Sequence, residues 1–387
     1  MQVREVLFAL LRKEICDQTV SDEVKNALSE EMLSQLYMLS NKHDLAHIVS
    51  HALEGLGIAG DDGVLQEFKR KNLQAIYRYI RLDHDFSRVC TAFEKAKLPY
   101  LPLKGAVLRE YYPQAWMRTS CDVDILVKME DLEKAKNILT KQLGFYGELR
   151  SAHDVSFFSE NGTHFELHHM LIEAWRSEEQ NDLLQDVWSV AEPATEGTYR
   201  YVMPDEWFYF YHLAHMAKHV TRGGCGIRPF LDIWVLENRV TYDAIRRQEL
   251  LTKGMLDTFA QTSRKLVQTW FSGQPADPLV ARLERFVLMG GVYGTYENNI
   301  AVRQSKEKGK LRYIKARLFE RYEMMIVYYP VLEKHKWLLP FFQVVRWIHR
   351  IFCGGFARAV HELRINAKTT NAERNFAGTL LEELDLR

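Results

Sequence analysis

Apolar positions along the chain change their period twice. From residue 3 to about 96 they recur at helical steps, between Leu98 and His169 short alternating runs take over, and from Pro204 onward helical steps return. The longest helical stretch is 64–96. There Leu65, Phe68, Leu73, Ile76 and Ile80 follow one another at three-, four- and five-residue steps, and Phe86, Val89 and Phe93 resume the pattern. This spacing predicts a long helix with a buried stripe and one break near Asp83. Gly55, Gly57 and Gly60 form a loop before it, with Gly63 closing the turn.

The middle of the chain reads differently. LPYLPLKG at 98–105 is a short apolar run punctuated by proline, and GAVLREYY at 105–112 predicts a helix. CDVDILVK at 121–128 alternates as a strand, with Val123, Ile125 and Val127 on one side and Asp122, Asp124 and Leu126 on the other. An amphipathic helix is expected over 130–143, stopped by Gly144. HDVSFFSE and THFELHH read as two strands joined across Asn161-Gly162, a strong hairpin signal. Pro204, followed by Asp205 and Glu206, opens a helix. Further helices fit 227–239, 242–271, 279–289, 312–332 and 336–365. The expected fold class is α+β: a small mixed sheet embedded between mostly helical regions. The expected domains are 1–96 (helical), 97–203 (sheet-bearing) and 204–387 (helical).

Composition changes this picture little. Of 387 residues, 47% are hydrophobic and 26% charged, which suits a sizeable core. Lys plus Arg (51) balances Asp plus Glu (51), so net charge gives no argument for nucleic acid or membrane. The five cysteines stand singly with no CxxC pair, against a disulfide framework or zinc ribbon. The start, MQVREVLFALLRKEIC, reads as an amphipathic helix and not as a signal peptide. No long uncharged apolar run predicts a membrane span, and a cytoplasmic setting is expected.

The candidate chemistry begins at Asp122-Val123-Asp124. Strand alternation puts both carboxylates on one face, where they repel unless something positive lies between them. Hydrated magnesium binds through one or two carboxylates plus substrate phosphates. Glu166, in HFELHH, is the candidate third acid from a neighbouring strand, completing a two-metal arrangement. Two solvated strand carboxylates are the plain alternative. The Lys-Gly turn upstream, opening a helix, offers backbone N–H groups to phosphate. Arg118, four positions before the acidic strand, either neutralises triphosphate charge or pairs with a nearby acid.

LPLKGAVLREYYPQAWMRTSCDVDILV followed by FELHH resembles the nucleotidyltransferase superfamily typified by DNA polymerase beta. Within it, the runs resemble an uncharacterised bacterial nucleotidyltransferase family with a Lys-Gly turn. The resemblance covers roughly residues 98–240 and implies a nucleotidyltransferase-type sheet. It implies Asp122, Asp124 and Glu166 as catalytic metal ligands for Mg2+ (or Mn2+), with Lys104, Gly105 and Arg118 on the nucleotide. The implied substrate is an NTP, and the acceptor a small molecule, peptide, protein or RNA. One departure stands out: the usual Gly-Gly or Gly-Ser turn is here Lys104-Gly105-Ala106, leaving phosphate contact to backbone amides and the Lys104 ammonium. Two rivals stay open: a catalytically silent nucleotide- or RNA-binding module on the same fold, and a helical scaffold whose acids are surface groups.

His212, His215 and His219 share one helix face, but without HExxH they read as polar packing more readily than as a zinc site. The resemblance implies a substrate-side or structural role for His215, His219, Arg228 and Asp232. His168 and His169 either touch the substrates or hydrogen-bond the metal ligands. The basic stretch 303–321, with eight Lys/Arg against two Glu, reads as a solvated helix face or a site for RNA, anionic lipid or an acidic partner. The apolar stretch 337–352 reads as a core or oligomer helix, or less readily as an interfacial membrane helix.

Overall fold

The computed structural model describes residues 1–61, 63–151, 153–171, 178–292, 294–307, 309–350 and 356–387. They divide into two compact units: Met1–Met216 with Ile227–Asp277, and Ala217–Gly226 with Pro278–Arg387.

The first unit opens with helices Val3–Cys16, Asp22–Asn26, Glu30–Lys42, Ala46–Gly55 and Gly63–Lys95. Ser21 and Ser29 cap the second and third by accepting the backbone N–H groups of Val24 and Met32. The long helix runs through Asp83 without the expected break. Its buried stripe also differs from the one predicted: Phe68, Asn72, Ala75, Leu82, Asp85, Val89 and Phe93 face inward, while Leu73 and Ile80 are each 59% exposed. Leu73 sits about 140° around the helix from Phe68, so the two cannot share a face. The true stripe is hidden in the sequence because a small Ala75 and polar Asn72 and Asp85 occupy buried positions. Asp85 is satisfied there by the Ser159 hydroxyl at 2.7 Å and the Asn161 amide at 3.2 Å, which docks the helix on the hairpin turn.

A five-stranded mixed sheet packs against this helix. Its strands are β1 (Tyr100–Pro102), β2 (Asp122–Val127), β3 (Tyr146–Arg150), β4 (Asp154–Phe158) and β5 (His164–His168), in the order β1-β2-β5-β4-β3. Only β2 and β5 run parallel. The hairpin β4–β5 forms as expected, with Gly162 at φ +76°. β1 and β3 were not foreseen. β1 is three residues long, and every residue of the edge strand β3 is exposed, so neither writes an alternating apolar pattern. The expected helix over 105–112 shrinks to Gly105–Leu108 and a 3-10 turn, Arg109–Tyr111. Tyr112 precedes Pro113 and is extended (ψ 154°), as the proline ring requires. Beyond the sheet, 242–271 splits into Ala244–Lys253 and Asp257–Ser272, with Met255 at φ +51° between them. The α+β class with a nucleotidyltransferase-type mixed sheet flanked by helices holds.

The second unit is helical. The predicted 279–289 helix is Pro278–Met289. The 312–332 stretch breaks into Lys310–Leu318, Tyr322–Tyr328 and Val331–Lys334. Helices Tyr296–Lys306 and Asn371–Glu383 were not foreseen, and within 336–365 the residues 351–355 lie outside the described ones. The 337–352 segment, as far as 350, is no core helix. Trp337, Phe341, Val344 and Ile348 face outward, while Gln343 and Arg346 are buried and bond Glu320 and Leu318 carbonyls. Part of the basic 303–321 charge is spent internally, Arg317 on Glu362 at 2.7 Å and Lys310 on the Ala367 carbonyl at 2.7 Å. No helix among the described residues is long and apolar enough to cross a membrane.

Candidate active site on the polar face of the sheet

Alternation gives the central strands two unlike faces. Val123, Ile125, Val127, Val155, Phe157, Phe165 and Leu167 enter the core under the long helix. Asp122 and Asp124 of β2, His164, Glu166 and His168 of β5, and Asp154 of β4 therefore share the other face. The register fixes their neighbours: Asp122 lies opposite His164, Asp124 opposite Glu166, and Asp154 opposite His168. The structure thus brings the three predicted acids together.

Asp124 is deeply buried. Its Oδ1 lies 2.7 Å from Lys104 Nζ and 2.9 Å from His168 Nε2, and the same His168 nitrogen is 3.3 Å from Glu166 Oε2. Burial alone would raise the Asp124 pKa; the Lys104 ammonium and the His168 hydrogen bond outweigh it and hold the carboxyl well below its usual range. Asp122 has no such partner. Burial first, and then the charge of Asp124, push its carboxyl up to about 6. Burial lowers the His168 pKa, but hydrogen bonds to Asp124 and Glu166 prevail and raise it.

The donor set fits a divalent cation. One ligand atom each of Asp122, His164 and Glu166 lie within 4.8 Å of one another, and so do those of Asp124, Glu166 and His168. Closely spaced buried carboxylates, one of them held at a raised pKa by its neighbours, form an arrangement that a hard cation relieves.

The Lys-Gly turn meets the acids directly. Leu103 N–H donates to the Asp124 carbonyl at 3.0 Å, which pins the turn to β2. Lys104 has φ +45°, a left-handed conformation unusual for a residue with a side chain, and its ion pair with Asp124 helps to hold it there. The helix that follows has four residues, and the Ala106 and Val107 N–H groups bond within the turn, to the Leu103 and Lys104 carbonyls.

The other predicted residues sort themselves differently. Arg118 is buried with its guanidinium forked onto Asp232, at 2.7 Å and 2.9 Å, and Tyr112 donates to the same carboxylate at 2.7 Å. Arg228 bonds Asp44 at 3.0 Å and the Thr119 carbonyl at 3.0 Å. These two arginines clamp the segment leading into β2. His212 Nε2 lies 3.0 Å from the Pro229 carbonyl, and burial lowers its pKa. His215 is half-buried in the first unit beside the Tyr211 ring, and His219 falls in the second unit. Among the described residues, the possible metal-holding groups all lie on the sheet and at the start of β4; none includes His212, His215 or His219.

Three neighbours of the acids escaped the sequence reading. His164 shares the Glu166 face, as alternation along HFELHH could have shown. Arg109 is buried and donates to the Gly105 carbonyl at 2.7 Å and to Ser120 Oγ at 2.9 Å, bracing the turn against the start of β2. Tyr211 is fully buried with no hydrogen-bond partner for its hydroxyl, in the field of Lys104, Asp124, Glu166 and Asp122. Nothing local in the sequence marks Tyr211, because only folding carries its helix to the sheet.

Residues 29–272 match the family described as an uncharacterised nucleotidyltransferase. The chain belongs to that family. The family match begins inside the N-terminal helices, so the likeness is wider than 98–240: it takes in the long helix and runs to the end of Asp257–Ser272. No curated protein matches the chain.

Proposed function

We propose that the chain transfers a nucleoside monophosphate from an NTP to an acceptor hydroxyl or phosphate, with Asp122, Asp124 and Glu166 holding Mg2+, replaceable by Mn2+. The observation carrying this reading is the crowding of three acids on one face of β2 and β5, with Asp122 pushed up to about 6 by burial and by the charge of Asp124. When bound, the cation supplies charge to neutralise the triphosphate and the transition state of an in-line displacement. Glu166, 22% exposed at its side chain against 3% for Asp124, is the acid best placed to take the acceptor proton as the acceptor oxygen bonds the α-phosphorus and pyrophosphate leaves. Lys104 and the backbone at Gly105 face the phosphates. Arg118, Arg228 and Asp232 act by positioning the entry to β2. The acceptor is drawn from small molecules, peptides, proteins and RNA.

The test incubates the protein with each labelled NTP, Mg2+ and cell extract, following label transfer and pyrophosphate release. Wild type labels an acceptor, whereas Asp122→Asn and Asp124→Asn label none while keeping the wild-type circular dichroism spectrum. Wild-type rates in either variant refute the assignment.

A second reading, a nucleotide- or RNA-binding module without transfer, is favoured by one contact. The Lys104 ammonium sits 2.7 Å from Asp124, where it neutralises a carboxylate that a metal otherwise takes. ATP binding in calorimetry with no pyrophosphate release selects this reading.

A further inference from the structure

His168 uses only one of its two ring nitrogens on the acids. Nε2 faces Asp124 and Glu166, whereas Nδ1 is buried and has no hydrogen-bond partner among the described residues, in a side chain 1% exposed. Buried imidazole nitrogens are ordinarily satisfied, so an orphaned one points to a missing partner. Directly across the antiparallel β4–β5 ladder stands Asp154, and beside it His153, whose ring centre is 5.4 Å from that of His168. One ligand atom each of His153, Asp154 and His168 lie within 4.8 Å of one another.

The distances suit a small tetrahedral ion. His153 Nε2 and Asp154 Oδ2 are 3.2 Å apart. Two ligands at about 2.0–2.1 Å from a tetrahedral zinc are separated by about 3.3 Å, so this edge of a coordination polyhedron is already in place. Ser151 Oγ donates to Asp154 Oδ2 at 2.7 Å and lies 3.3 Å from His153 Nδ1, orienting both side chains as outer-shell partners of metal ligands do. A second buried and unpartnered ring nitrogen, His169 Nδ1, belongs to the residue whose backbone N–H bonds the His153 carbonyl at 3.0 Å.

We infer that His153 Nε2, Asp154 and His168 Nδ1 form a site for a transition-metal dication of the zinc class, with one position left open, beside and distinct from the site of Asp122, Asp124 and Glu166. Two imidazoles and a carboxylate suit such an ion, while the three-acid cluster suits a hard one. Coordination through Nδ1 fixes the His168 tautomer, so that Nε2–H donates to Asp124 and Glu166. The ion thereby orients the acids from behind, in the manner of a carboxylate–histidine–zinc relay. The existence of this site does not depend on nucleotidyl transfer.

The experiment measures Zn2+ bound per full-length chain by equilibrium dialysis, with Co2+ as a spectroscopic probe, and follows the 15N resonance of His168 Nδ1. One Zn2+ per chain is expected, with visible d–d bands from tetrahedral Co2+ and a shift of the Nδ1 resonance. His153→Gln, at a partly exposed position, and Asp154→Asn each weaken Zn2+ binding by about a hundredfold. His164→Gln, whose ring pairs with Glu166 and stacks on Phe158 and belongs to no group with His153 or Asp154, leaves it unchanged. Absence of stoichiometric Zn2+ binding overturns the inference. So does binding that survives His153→Gln but is lost in His164→Gln, because the ion then belongs to the three acids. Transfer activity enters none of these readouts, so failure here and failure of the transferase reading are separable.

Discussion

The first unit buries two groups of charges on either side of the segment leading into β2. At Arg118–Asp232 every charge has its match: the guanidinium forks onto both carboxylate oxygens, Tyr112 adds a third hydrogen bond, and the Asp232 carboxyl is held below its ordinary value. At Asp122–Asp124–Glu166 the partners are shared unevenly. Lys104 and His168 both serve one oxygen of Asp124, and Asp122 is left to be pushed up to about 6. The same residue types in the same unit thus reach opposite electrostatic ends. A complete buried network specifies structure, and an incomplete one has room for a charged ligand.

Variants separate the two groups, and after the complete loss expected of Asp122→Asn and Asp124→Asn the largest effect is expected at Glu166. If it takes the acceptor proton, Glu166→Gln lowers turnover by roughly 10²- to 10⁴-fold with no loss of thermal stability, as pyrophosphate release and thermal melts check. Arg118→Ala does the reverse. It strands the buried Asp232 carboxylate and costs roughly 3–5 kcal/mol in urea unfolding, while turnover per folded molecule stays within a few-fold of wild type. A large loss of turnover with unchanged stability assigns Arg118 to the triphosphate instead.

Magnesium sharpens the contrast at a smaller scale. At a hundred times its dissociation constant the ion stabilises wild type by about 2.7 kcal/mol, seen as a rise in Tm. Arg118→Ala keeps that increment and Asp124→Asn loses it. No magnesium effect on wild type counts against the metal assignment.

The smallest effect is a pH dependence of opposite sign in the two groups. Asp122 has a folded pKa of about 6 against an ordinary 3.8, so the folded state binds its proton more tightly. Without metal, its ionisation costs stability above about pH 6, and the cost fades as pH falls toward 4. Asp122→Asn therefore stabilises the metal-free protein at pH 7 by on the order of 1–3 kcal/mol, a difference that vanishes near pH 4. Asp232 runs the other way: its contribution is present above 3.8 and is lost as pH falls through its lower folded value. Urea midpoints at pH 7 and 4 check the first sign, and midpoints taken below pH 3.8 check the second.

Much of the candidate site was legible before folding. The alternation of CDVDILVK and the Asn-Gly hairpin are local signals, and together they put Asp122, Asp124 and Glu166 on neighbouring strands facing the same way. His164 was equally legible and was passed over. The long helix was legible in its extent but not in its buried face, since Asn72, Ala75 and Asp85 hold inward positions that an apolar count assigns to solvent. The exposed edge strand β3 and the three-residue β1 carry no periodic pattern, so only pairing reveals them. Arg118 and Asp232 are 114 residues apart, and nothing along the chain announces that they meet.

By itself the sequence determined the α+β class, the period-two strands that aim three acids at one face, and the family pattern around Lys104-Gly105. Those are properties of near neighbours in the chain, where a period of two or 3.6 residues fixes the direction of each side chain. Only the tertiary structure decided which charges are satisfied: Arg118 by Asp232, and Asp124 by Lys104 and His168, while Asp122 is left raised by burial and, among the described residues, one nitrogen of His168 is left unbonded. Partnership between buried groups depends on distances of a few ångströms across elements far apart in the chain, and the free energy of a buried charge is set by those partners and not by its place in a motif.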